Sequence, residues 1–266
     1  MAIPRWLENI FLDVVDRVYS YIPQKKPPLD KLRQVRIVAH RGAHDKQHVE
    51  NTFEAFDQAI ELGLWGIEFD IRWTKDLVPV VHHDACCNRV FKKNIHINEI
   101  SFFELHQAIP EIPTLEEVVE RYGKKIHLMI EIKEERYPDP AKQNDILKTV
   151  MSSLTSEQDY CFISLVPKMF DLITFAPSKT FYPIAAIRSK PFAKLCLEKN
   201  YGGLLGHYFF VTNQLIHELQ SQGKQVGFGF ISSKNSPFRE LNRGIDWVYT
   251  NDPKTLLAVC RRALQA

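Results

Sequence analysis

Hydrophobic and polar positions alternate strictly through Gly66-Ile67-Glu68-Phe69-Asp70-Ile71-Arg72, with Ile67, Phe69 and Ile71 on one face and Glu68, Asp70 and Arg72 on the other. A period of two predicts a strand. Glu68 and Asp70 then stand roughly 6.6 Å apart along one face, close enough to converge on a cation. The following Thr74-Lys75-Asp76-Leu77 is too short for a crossover helix, so 78–83 must return antiparallel, which brings His83 level with the carboxylates. Upstream, Val35 to His40 is another apolar run, ending in His40-Arg41-Gly42, where Gly42 permits a sharp turn. The alternation recurs at 126–133, with His127, Met129, Glu131 and Lys133 sharing a face, so that a third carboxylate ends a strand.

Further strand patterns occupy 160–164, 180–187, 202–205, 225–230 and 246–250, which makes eight strands once the hairpin arm is set aside. Helical stretches lie between them. Asn51-Thr52-Phe53-Glu54 reads as a helix start with Asn51 as the cap, and Gly63 as its end; Thr114 with Glu117 caps a second helix running to Gly123. Further helical stretches span 141–154 and 214–222. Strands alternating with helices in about 230 residues predict an α/β fold with a parallel sheet, either a (β/α)8 barrel or an open doubly wound sheet. Ahead of all this, Leu7, Ile10, Phe11, Val14, Val15, Val18 and Tyr19 recur at helical spacing, and Pro23, Pro27 and Pro28 form a linker. The polar face of that helix mixes Arg5, Glu8, Asp13, Asp16 and Arg17, so packing on protein, on the barrel's bottom or flank in preference to a second subunit, is favoured over a membrane surface. Residues 1–34 are therefore a helix and linker, and 35–266 the main domain.

A net charge of +2 and a pI of about 8.2 supply no basic excess for nucleic acid, and small anionic substrates fit the balance. The five cysteines, odd in number and without a CxxC spacing, form no disulfide framework and suggest no zinc site, which indicates a reducing, cytoplasmic setting. No secretory signal pattern or membrane-spanning run is present, although secretion without such a signal stays open.

Five short motifs occur in one order: His40-Arg41-Gly42, Glu50-Asn51-Thr52, Glu68-Phe69-Asp70, Thr74-Lys75-Asp76 and His83-Asp84. They resemble the signature of the glycerophosphodiester phosphodiesterase family, within the phospholipase C-like phosphodiesterases. The likeness continues through Asn88-Arg89, 112–117, Glu131-Ile132-Lys133 and Thr250-Asn251-Asp252-Pro253. It implies a distorted TIM (β/α)8 barrel with a small insertion at 85–111 after the hairpin and an extra N-terminal helix. In a TIM barrel the C-terminal strand ends line the active site.

The resemblance also implies hydrolysis of glycerophosphodiesters to sn-glycerol 3-phosphate and an alcohol. Glu68, Asp70 and Glu131 correspond to metal ligands with Glu50 as a fourth, His40 and His83 to general base and acid, and Arg41 and Lys133 to phosphate-binding groups. An all-carboxylate set suits Mg²⁺ or Ca²⁺. The nucleophile stays open between the neighbouring glycerol hydroxyl and water, and Asp84 between supporting the turn and supporting His83. Against the family pattern, Val49 replaces Pro, Leu77 replaces Gly, and Gly227-Phe228-Gly229-Phe230 replaces a Trp-Thr-Val-Asn-like strand. Trp247, Phe209 and Phe210 then suggest an apolar, acyl-accepting mouth and a lysophospholipase D-like alternative. A non-catalytic barrel binding phosphodiesters or protein is the third reading, and it would be expected to lack at least one of these site residues.

Overall fold

The structure, a computed structural model, describes residues 14–15, 17–229 and 235–265. Nine strands form one sheet: β1 (Ile37–His40), β2 (Gly66–Trp73), β3 (Pro79–Val81), β4 (His127–Ile132), β5 (Tyr160–Ser164), β6 (Phe181–Ala185), β7 (Gly203–His207), β8 (Gln225–Gly229) and β9 (Trp247–Thr250). Their order is β1-β9-β8-β7-β6-β5-β4-β2-β3, and a further β1–β2 pairing closes eight parallel strands into a barrel. Among the described residues only β3 of this sheet runs antiparallel, hydrogen-bonded to β2 as the hairpin arm. Closure excludes the open doubly wound sheet.

Each face of a barrel strand needs cover, which explains why few strand residues are exposed. A short helix, α1 (Leu29–Arg33), precedes β1. Ile67, Phe69 and Ile71 of β2 point outward into the large core beneath α2 (Phe53–Glu61) and the other surrounding helices. The opposite face points into the barrel, where Val38, Met129, Cys161, Ile163, Tyr182, Leu205, Trp247 and Tyr249 form a second, inner core. The insertion has its own small core of Val80, Cys87, Ile97, Leu105, Ile109 and Ile112. It contains α3 (Asn88–Phe91) and α4 (Phe102–Ala108), and Ser101 and Glu104 close a capping box on α4. The Thr114–Glu117 capping box forms as expected on α5 (Leu115–Tyr122).

The glycines of β8 have a packing reason. A Cβ on Gly227 would lie 1.7 Å from Trp247 Nε1, so the empty position is what lets the Trp247 indole lie across the barrel. Trp247 opens β9, Trp65 precedes β2 and His127 opens β4, which puts all three at the N-terminal, bottom end of the barrel. Their rings stack: Trp65 lies 4.4 Å from His127 at 17° and 6.0 Å from Trp247 at 9°. Trp247 is therefore a floor plug rather than part of an acyl-accepting mouth, which corrects the sequence expectation.

The N-terminal helix is seen only at its end, and Leu7, Ile10 and Phe11 lie outside the described residues. Val15 is buried, and the Tyr19 ring packs 5.8 Å from Tyr208 and 5.9 Å from Phe209, with the Arg239 guanidinium 4.6 Å above it. The described end of the helix touches protein through Val15 and Tyr19. Tyr208 follows β7, however, and Arg239 lies in α6 (Asn235–Arg243), so the contact is at the rim of the C-terminal end and not at the bottom or flank. Val14 and Val18 remain exposed. Among the described residues no helix is long and apolar enough to cross a membrane. All five cysteines are free thiols, four of them buried.

His127 donates from Nδ1 to the Gln158 carbonyl at 3.0 Å. Burial lowers its pKa from 6.5 to about 4, so between these values the unfolded chain takes up a proton that the folded chain refuses. Its contribution to stability is complete above pH 6.5 and is lost as pH falls toward 4. Thermal unfolding followed across pH 4 to 7 should show this decline, and His127→Asn should flatten it.

Candidate active site

Strand register assembles the site before any side chain is considered. His40 is paired with Glu68 across β1 and β2, and Asp70 with Glu131 across β2 and β4. The polar, inward face is thus a buried cluster at the C-terminal end of the barrel: Glu68 and Asp70 are fully buried and Glu131 nearly so. One oxygen from each of the three carboxylates lies within 4.8 Å of the others.

Two cations hold this charge. Lys133 Nζ is 2.7 Å from Asp70 Oδ1 and 2.9 Å from Glu131 Oε1. Arg41 places Nε 3.5 Å from Asp70 Oδ2, and its backbone N–H donates to Glu68 Oε2 at 3.0 Å. That backbone position is fixed by the turn after β1, where Arg41 and Gly42 have φ of 54° and 79°; a Cβ on Gly42 would come within 2.8 Å of Ala55 and Phe56 of α2. Three buried carboxylates against two cations leave a surplus, and the pKa directions reflect it. Burial and the neighbouring Asp70 push Glu68 well above the usual carboxylate range and raise Glu131 to about 7. Asp70 goes the other way: burial opposes its ionisation, but Lys133, His83 and Arg41 together hold it far below the usual range. Glu68 Oε1 is buried without a hydrogen-bond partner. An unpartnered carboxylate oxygen beside two more carboxylates fits a hard divalent cation.

Histidines flank the cluster on both sides. His40 Nδ1 is hydrogen-bonded to Asn251 Oδ1, which fixes the donor at Nδ1 and makes Nε2, 3.9 Å from Glu68 Oε2, the basic nitrogen. Burial, and then Arg41, lower its pKa to about 4, so the ring is neutral near pH 7. The Tyr249 ring lies 4.9 Å beneath it. His83 Nδ1 donates to Asp84 Oδ1 at 2.6 Å, and Arg72 holds the His83 carbonyl through Nε and Nη2 at 3.0 and 2.9 Å. Burial lowers the His83 pKa, while Asp70 and Asp84 pull it back up. His82 turns away, buried with its ring 5.8 Å from Phe91 of the insertion. Glu50 stands apart from the three-carboxylate group, paired to Arg41 Nη1 at 2.8 Å and to Arg89; burial is overcome by these guanidinium groups, which lower it to about 2.

The model of the glycerophosphoryl diester phosphodiesterase family matches residues 40–255. The chain belongs to this family. The glycerophosphodiester phosphodiesterase of Caldanaerobacter subterraneus subsp. tengcongensis is 28% identical over 239 residues, spanning 85% of this chain and 98% of that protein. Among solved structures, the glycerophosphodiester phosphodiesterase of Thermotoga maritima matches with a TM-score of 0.71 at 24% identity, over 85% of this chain and 98% of its own. An Oleispira antarctica phosphodiesterase, solved in complex with the product sn-glycerol-3-phosphate, matches with a TM-score of 0.72 at 20% identity, over 88% and 98% of the two chains. These likenesses establish a TIM-barrel phosphoric diester hydrolase of the glycerophosphodiester phosphodiesterase family.

Within this glycerophosphodiester phosphodiesterase barrel, Asn251 and Asn51 acquire partners that motif matching alone did not assign. Asn51 does not cap α2; the N-cap is Thr52, which makes no capping bond through its side chain. Asn51 instead adopts a left-handed φ of 59° and donates Nδ2 to Asp70 Oδ2 at 2.9 Å. Its signal was the left-handed tolerance of Asn beside a motif carboxylate. Asn51→Ala should therefore cost about 2 kcal/mol, since it removes a hydrogen bond to a buried charge and strains a left-handed position. Thr52→Ala should cost clearly less, a contrast that denaturant titration of the two variants would measure.

Proposed function

We propose that this protein hydrolyses glycerophosphodiesters to sn-glycerol 3-phosphate and an alcohol, with Glu68, Asp70 and Glu131 holding a divalent cation, Mg²⁺ or Ca²⁺. The observation that carries this reading is the buried carboxylate surplus between two histidines, each anchored through Nδ1. A family match over residues 40–255 and a structural neighbour solved in complex with the product sn-glycerol-3-phosphate support it.

In this reading a bound cation neutralises charge on the phosphoryl oxygens. His40, neutral and with Nε2 as its basic nitrogen, takes the proton of the attacking hydroxyl, whether glycerol's own or water's. His83 donates a proton to the leaving alcohol oxygen. A phosphodiester anion beside its ring favours the imidazolium, which adds to the pull of Asp70 and Asp84. Arg41 and Lys133 border the carboxylates and contribute positive charge toward the same anion. Glu50 acts through Arg41. The lysophospholipase D-like alternative loses Trp247 to the barrel floor and retains the rim pair Phe209, 42% exposed, and half-buried Phe210, whose ring lies 5.2 Å from it.

Glycerophosphocholine should be turned over in the presence of Mg²⁺ or Ca²⁺, with activity abolished by EDTA and restored by either ion. Undiminished turnover after thorough chelation would remove the cation from the reaction. His40→Ala and His83→Ala should each reduce kcat by about 10²-fold or more with the fold intact, and His82→Ala much less. Equal losses at His82 and His83 would overturn the assignment within the doublet.

A further inference from the structure

Arg89 has no part in the reaction outlined above. It lies in α3 of the insertion, and its guanidinium spans two loops that each carry half of the site. Nε donates to Asp84 Oδ2 at 2.6 Å, while Nη1 and Nη2 donate to Glu50 Oε2 and Oε1 at 2.9 and 2.5 Å. Each of these carboxylates is already committed on its far side: Asp84 Oδ1 receives His83 Nδ1–H, and Glu50 Oε1 receives Arg41 Nη1. A continuous chain therefore runs His83–Asp84–Arg89–Glu50–Arg41, and from Arg41 to Asp70 and Glu68.

We propose that Arg89 is a positioning residue, a clamp that holds Asp84 and Glu50 at a fixed separation so that the His83 ring and the Arg41 guanidinium face the same substrate phosphate. The proposal rests on the functional reading above. Arg72 anchors only the backbone carbonyl of His83, so rotation of the ring is governed by Asp84, and Asp84 is governed by Arg89. The side chain of Arg89 is 48% exposed, where an ion pair contributes little to stability. Its effect is on geometry. Three directed N–H bonds to two carboxylates need the planar fork of arginine, which a lysine ammonium does not reproduce.

The test compares wild type with Arg89→Ala, Arg89→Lys, Asp84→Asn and the Arg89→Ala/Asp84→Asn double variant, using glycerophosphocholine with Mg²⁺. Arg89→Ala should lower kcat by about tenfold or more with KM changed less than about threefold, as for other residues that orient a site group at one remove. Arg89→Lys should recover little of the loss, added guanidinium ion should recover part of it, and the double variant should be no worse than the poorer single one. Imidazole ¹⁵N NMR supplies a readout independent of turnover: His83 should hold one Nδ1–H tautomer in wild type and average between tautomers in Arg89→Ala. An inactive wild type would defeat the functional reading, and the NMR comparison would still decide on the clamp. Unchanged kcat with an unchanged His83 spectrum would make Arg89 an inert surface pair. A rise in KM at constant kcat would make it a substrate contact and would equally overturn the proposal. Should Arg89→Ala fail to fold, Arg89→Lys and Asp84→Asn carry the same comparison.

Discussion

Three carboxylates forced into one desolvated pocket are the constraint that the rest of the structure answers. Like charges within 4.8 Å in a buried setting repel strongly, and each ionised group also loses its hydration. Lys133, Arg41 and Asn51 are placed against them, and where these do not suffice Glu68 and Glu131 are pushed toward holding protons. Stability alone would favour an apolar filling of the same space, as it does in the lower half of this barrel. The polar half is retained at a cost, which is the pattern of a site built for reaction rather than for folding.

The barrel's two halves share one interior and divide it by chemistry. At the bottom, β8 offers glycine and Trp247 of β9 fills the vacancy, stacked on Trp65 and His127. Above it, Tyr249 covers the inner core and supports the His40 ring. The aromatic layer thus excludes water from below while the carboxylates open upward. Within the departure at 227–230, Gly227 relocates bulk from β8 to Trp247 of its neighbour β9.

Much of this was legible because period-two alternation survives closure into a barrel: Glu68, Asp70, Glu131 and Lys133 share the inward face read from sequence, and every strand lies within a few residues of its expected place. What was not legible depends on long-range partners. Asn251 meets His40 across 211 positions, and no local pattern announces that pairing. Asn51 carried a capping signal that was genuine in type, but the buried Asp70 is a stronger partner for its side chain than a helix end open to other caps. Of the N-terminal stripe, Val15 is buried while Val14 and Val18 are exposed, and periodicity gives a face and not an address. Tyr19 finds its place at the rim because Tyr208 and Arg239 form a cation–aromatic stack there.

Charge balance ties the clamp to the proposed chemistry. Around the mouth, Glu50, Glu68, Asp70, Asp84 and Glu131 face Arg41, Arg89 and Lys133, leaving a surplus of two negative charges if all the carboxylates are ionised. One divalent cation matches that surplus. In the proposed reaction a phosphodiester would enter with a single negative charge, which a protonated His83 would balance. Burial lowers the pKa of both histidines; Arg41 adds to that lowering at each and Asp70 opposes it at each, while Asp84 opposes it at His83 alone. Asp84 supplies that difference on the His83 side, and Arg89 determines where Asp84 stands.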